Sequence, residues 1–152
     1  MQNNRLRKIL TDSNVNFEII QCTPHMTTRD LAAETHVSIK GLAKTVPVKI
    51  DGKVALLVEP RHIRTDLEKW QRAISCKNIE YALETDLQDI LGELDRDSIP
   101  AFDMFEINDV YVDDQMAASS QIAFGAGTEH EIIKMNYADY VKWVKPKLFH
   151  VH

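Results

Sequence analysis

The stretch Gly41–Pro60, GLAKTVPVKIDGKVALLVEP, constrains the fold more than any other part of the chain. Asp51-Gly52 separates two apolar runs, and a type I′ turn needs positive φ at both central residues, which this dipeptide supplies at low cost. The spacing predicts a β-hairpin whose tight loop sets Val46 opposite Leu57 and Lys44 opposite Glu59. Side-chain alternation puts Leu42, Lys44, Val46, Val48 and Ile50 on one face, with Ala43, Thr45, Pro47 and Lys49 on the other. Lys44 is thereby turned inward among aliphatics. Pro47 lacks a ladder donor, and a bulge there would slip the pairing by one residue. Pattern alone leaves two readings of Lys44: it snorkels to water or pairs structurally with Glu59, or it is a desolvated lysine with a chemical task.

Around the hairpin, helices and strands alternate. Leu6, Ile9 and Leu10 give helical spacing over 3–13, and Phe17–Ile20 reads as a strand. Thr27 or Thr28 caps a helix running through Ala33, with Asp30 at the capping-box distance from Thr27. Leu67, Trp70, Ala73 and Ile74 predict an amphipathic helix over Arg64–Ser75, followed by a strand at Ile79–Ala82 and a helix at Thr85–Leu91 capped by Thr85. Arg96–Asp103 has no period and reads as a loop. Asp109–Val112, Gln121–Phe124 and Glu131–Met135 read as strands, with Gly125-Ala126-Gly127 turning between the last two, and Tyr137–Val144 as a helix. No repeat or linker interrupts the order. The expectation is one α+β domain over 1–152, a mixed β-sheet flanked by helices.

A chain of 152 residues can bury a core without disulfides or metal. Its 44% apolar and 27% charged content is that of a soluble globule, no apolar run reaches membrane-spanning length, and MQNNRLRKIL lacks the pattern of a secretory signal, which points to the cytoplasm. Cys22 and Cys76 form no C-x-x-C pair and read as buried thiols. The net charge of −5 restricts any nucleic-acid contact to a local basic patch, such as Arg5/Arg7/Lys8, Arg61/His62/Arg64 or Lys142/Lys145/Lys147. His150-x-His152 supplies at most a pair of metal ligands, with no cysteine or carboxylate at ligand spacing, so no metal site is expected.

The segments LAKTVPVKIDGKVALLVEP, RTDLEKW, DVYVDD and IAFGAGTEHEIIKMNYADY, within about Gln21 to Lys147, resemble the YbaK and prolyl-tRNA synthetase-associated editing domain family. The resemblance implies a hydrolase without cofactor that deacylates mischarged tRNA in trans, serving translation fidelity. Its expected partners are the acceptor end of aminoacyl-tRNA, carrying a small amino acid, and a synthetase, with no membrane. A pocket that separates amino acids differing by a methylene gains only ~1–3 kcal/mol, so a second hydrolytic site has a clear use. Lys44 matches the family's pocket lysine and is the expected catalytic residue, orienting the ester carbonyl for attack by water.

The family's Gly-x-x-x-Pro substrate loop aligns with Asp97–Ala101, which places Ser98, Ile99 and Pro100 at the substrate together with Gly127 and Thr128 of the later turn. Asp97 stands where the family has glycine, and Ala101 where it has proline. Aspartate adopts glycine's backbone conformations at a cost and adds negative charge near a phosphate-bearing ligand. A binding module of the same fold, without turnover, is the alternative reading. Glu129 occupies the position where relatives carry histidine, and the shift to His130 would turn the imidazole to the opposite face of a strand.

Overall fold

The computed structural model describes residues 2–91, 94–104 and 109–152. The hairpin forms in the expected register: β2 (Ala43–Ile50) pairs antiparallel with β3 (Lys53–Pro60), Val46 opposite Leu57 and Lys44 opposite Glu59. Asp51 and Gly52 take φ of 48° and 86°, the left-handed pair the turn demands. Pro47 faces Leu56 within an unbroken ladder, so it causes no slip. The Asp51 carboxylate also accepts from the Asn78 N–H at 2.8 Å, tying the turn to β4 (Ile79–Tyr81).

The remaining elements, in chain order, are α1 (Gln2–Asp12), β1 (Phe17–Gln21) and α2 (Thr28–Thr35) before the hairpin. After it come α3 (Leu67–Ile74), α4 (Glu84–Leu91), β5 (Asp109–Asp113), β6 (Gln121–Gly125), β7 (Glu131–Asn136), α5 (Tyr137–Val144) and β8 (Lys147–Phe149). A five-stranded mixed sheet runs β4-β2-β3-β5-β8, with β3-β5 and β5-β8 parallel, and a three-stranded antiparallel sheet runs β1-β7-β6. A parallel bridge between Leu42 and Ala123 joins the two. The chain is therefore an α+β domain with a mixed sheet and flanking helices.

Alternation in the larger sheet creates two cores. Ala43, Leu56, Val58, Val110 and Val112 meet Leu6 and Leu10 of α1, Tyr140 of α5 and Ile122, Phe124, Ile133 and Met135 of the smaller sheet. On the opposite face Val48, Ile50, Ala55, Leu57 and Tyr111 pack against Trp70 of α3 and Val151. Burying each such aliphatic or aromatic side chain contributes ~1.5–3 kcal/mol. Lys44 and Glu59 lie on this second face by strand parity.

Local chemistry moves several boundaries. The capping box at α2 is complete, with Thr27 accepting from Asp30 N at 3.0 Å and Asp30 accepting from Thr27 N at 3.3 Å. Helix α3 starts later than the periodicity predicts, because Asp66 caps it through Lys69 N and Thr65 is committed to Glu59. At α4 it is Asp86 that accepts from Leu83 N, at 2.8 Å, and Thr85 is exposed inside the helix. Leu42 precedes β2 and packs with Leu31, Val37 and Ala123, off the face assigned to it by alternation. His130 lies in the turn before β7, exposed, so strand parity does not govern its direction. The thiols of Cys22 and Cys76 are free and half-buried.

Candidate functional site

Lys44 enters β2 beneath the segment that leads to α3. Its Nζ lies 3.4 Å from Glu59 Oε2 and donates to the Ile63 carbonyl at 2.5 Å. Glu59 is fully buried, and its carboxylate accepts from Trp70 Nε1 at 2.9 Å and from the Thr65 hydroxyl at 2.5 Å. A buried carboxylate is stable only with such partners. The lysine side chain keeps 27% exposure, so its ammonium is held on one side and open on the other. An ammonium carries a further donor beyond these contacts, directed to whatever fills the adjoining cleft.

That cleft encloses about 550 Å³ between Lys44, Thr45, Val46 and Pro47 on β2, Thr65, Tyr81, and the Arg96–Asp97 turn. A second cavity of about 220 Å³ lies beside it, floored by Leu31, Leu42, Ala43, Ala123 and Ile132. Its rim is polar: Cys22, His25, Ser98, Thr128, Glu129 and Glu131. Arg61 and Asp97 line both spaces, so a ligand spanning them passes a guanidinium and a carboxylate.

The loop carrying Asp97 is built by local hydrogen bonds. Asp95 accepts from Asp97 N at 3.1 Å and caps the 3₁₀ turn Arg96–Ser98. Gly127 N donates to Ser98 O at 2.7 Å and Asp95 N to Gly127 O at 2.9 Å, which staples this turn to the one after β6. Gly125 permits the approach, because a Cβ there would stand 2.8 Å from Ser98 O and 2.9 Å from Ser98 Cα. Asp97 itself is in the 3₁₀ turn and is absent from the positive-φ residues. Its backbone therefore carries none of the strain that replacing glycine would suggest. What it adds is an exposed carboxylate in the wall of both spaces.

Among the other residues expected at the substrate, Ser98 and Thr128 line the smaller cavity. Ile99 turns into the main core beside Ala101, whose carbonyl accepts from the buried Tyr140 hydroxyl. Pro100 is buried next to it. Gly127 is buried and acts through the backbone bond to Ser98. Sequence reasoning did not assign Arg61, Cys22, His25 or Glu131 to the site; Arg61 was visible only as one member of a basic cluster. Burial pushes the Cys22 thiol above its usual range, against the pull of Arg61. Its S–H donates to Glu129 O at 3.4 Å.

A small polar-rimmed cavity beside a lysine-bearing cleft, on an α+β fold with a mixed sheet, defines a domain with a candidate small-ligand site. The sequence matches the aminoacyl-tRNA editing domain family over residues 22–143, and the chain belongs to that family. No curated protein sequence matches it. Among solved structures, a protein described as a candidate trans-editing enzyme for prolyl tRNA synthetase superposes with a TM-score of 0.84 at 12% identity, over 99% of this chain and 96% of the other. Hypothetical protein APE2540 gives 0.81 at 16% identity, covering 97% and 98%. A candidate signal transduction protein from Marinobacter aquaeolei VT8 gives 0.75 at 12% identity, covering 97% of this chain and 30% of that one. At these identities the superpositions establish the shared fold, and the family match carries aminoacyl-tRNA editing as the general activity. Among the described residues, no helix is long and apolar enough to cross a membrane.

Proposed function

We propose that the chain is a trans-acting cytoplasmic deacylase that hydrolyses the ester of mischarged tRNA carrying a small amino acid. The observation that carries this reading is the size of the inner cavity, about 220 Å³, directly beside the cleft that holds Lys44. Pockets that enclose drug-sized ligands span ~300–1,000 Å³, so this one takes a small aminoacyl group and leaves the terminal adenosine to the cleft. Lys44 donates to the ester carbonyl from the cleft, holding it for attack by water and stabilising the charge that develops on its oxygen. Water adds to the carbonyl carbon, the bond to the ribose oxygen breaks, and the amino acid and free tRNA leave. Ser98 and Thr128 contact the aminoacyl group. Ile99 and Pro100 fix the loop from the core, and Gly127 holds it through the backbone. The acceptor end is the partner, delivered from a synthetase, and so few phosphates are met that binding depends only weakly on salt.

Asp97 favours a second reading. Its carboxylate either receives the α-ammonium common to all aminoacyl esters, as part of the deacylase, or repels the phosphate-bearing substrate and leaves a binding module. Deacylation rates over a panel of mischarged tRNAs distinguish these. On the deacylase reading the wild type hydrolyses the small aminoacyl esters, Lys44→Ala lowers kcat/KM about 10²-fold, and Asp97→Gly raises KM with kcat retained. A wild type without activity that gains it in Asp97→Gly establishes the binding module instead. Equal rates for Lys44→Ala and wild type remove the lysine from the mechanism.

A further inference from the structure

Behind Lys44, on the face of the sheet covered by α3, three potential ligands converge from separate parts of the chain. Parallel pairing of Val58 with Val112 sets Glu59 of β3 beside Asp113 of β5, and the segment after β8 returns His152 over the same face next to Val151. A ligand atom from each of Glu59, Asp113 and His152 lies within 4.8 Å of the other two. Asp113 Oδ1 is used, accepting from Gln115 N at 2.9 Å. Its Oδ2 is buried without a hydrogen-bond partner, and so is His152 Nε2. The two stand 3.4 Å apart.

That separation is within the 3.2–3.5 Å of the other described ion pairs, and it is also the spacing of two ligands on one ion, on the order of 3.0–3.5 Å for bonds of ~2.0–2.2 Å. The side chain of Asp113 is fully buried, and leaving one of its oxygens unpartnered is costly unless something else occupies the site. The geometry points to a divalent transition-metal site formed by Glu59, Asp113 and His152. One imidazole nitrogen with two carboxylate oxygens suits Zn²⁺ or Mn²⁺ and disfavours magnesium and calcium, which take oxygen alone. The 15% exposure of the His152 side chain gives the ion a way in from solvent. Because Glu59 also holds Lys44 at 3.4 Å, a bound ion draws on the same carboxylate and loosens the lysine toward the cleft. The site is independent of the deacylation reading.

The test is metal binding by the full chain, stripped with chelator and then dialysed against Zn²⁺ or Mn²⁺, with bound metal quantified by mass spectrometry. The expected result is one ion per chain, with affinity falling at least ~100-fold in Asp113→Asn and in His152→Ala. His150→Ala, which changes the exposed histidine paired with Asp114, leaves binding unchanged. Circular dichroism verifies that the variants fold, and the wild-type stoichiometry needs no variant. Absence of saturable binding overturns the site, leaving Lys44, Glu59, Asp113 and His152 as a charge network. Binding that His150→Ala weakens as much as Asp113→Asn also overturns it.

Discussion

Cys22 shows how burial sets the chemistry of a residue at the cavity rim. Burial raises its thiol above the ordinary 9.0, with Arg61 lowering and Glu131 raising it in turn. Below that pH both folded and unfolded chains keep the proton and the thiol has no effect on stability. As pH rises past 9.0 the unfolded chain releases its proton first, so stability falls. In a Cys76→Ser background, alkylation of Cys22 should follow a midpoint above 9.0, and an aminoacyl-adenosine analogue seated in the cavity should protect it. Mass spectrometry of the alkylated chain reads both effects. Lys44 and its pairing with Glu59 were legible from strand parity, since the turn fixes the register. Asp97 was legible as a departure from glycine but not as a wall residue, because its 3₁₀ turn is positioned by bonds that Asp95 and Ser98 make with the distant Gly127, which no local pattern reports.

At the level of elements, the junction between the 95–98 turn and β6 is a close backbone approach within the site. Gly125→Ala pushes a methyl into the Ser98 backbone and is expected to cost ~1–3 kcal/mol and to lower deacylation with it. Gly52→Ala is the control: at φ +86° it costs ~1–2 kcal/mol, with open space around it and the site untouched. Thermal denaturation alongside deacylation rates separates the two, since only the first should lose activity at temperatures where both are folded. The hairpin and α5 were readable because turn chemistry and helical period are local. Strand β8 was not: it is short, lies at an edge with Lys147 and Leu148 exposed, and owes its place to β5. The start of α3 escaped for a related reason, since a buried carboxylate on β3 recruits Thr65 away from the helix.

For the whole molecule, the mixed α+β order was evident from alternating periods, whereas the division into two sheets depends on which distant strands pair. The Glu59, Asp113 and His152 cluster was equally hidden, because its members are brought together only by parallel pairing across β3, β5 and β8. Phe17 pairs with Met135 and Gln21 with Glu131, so β1 waits for a partner from the far end of the chain. Closing a loop of that length is slow relative to forming the Asp51-Gly52 hairpin. Pulse-labelling hydrogen exchange should therefore find β2 and β3 amides protected well before those of β1, and simultaneous protection would contradict that order. The smaller cavity draws its lining from both early and late partners, with Ala43 on one side and Ala123 and Ile132 on the other. On a ribosome, the nascent chain would carry its lysine in a hairpin before β6 and β7 emerged, and would acquire the smaller cavity only when those two strands arrived.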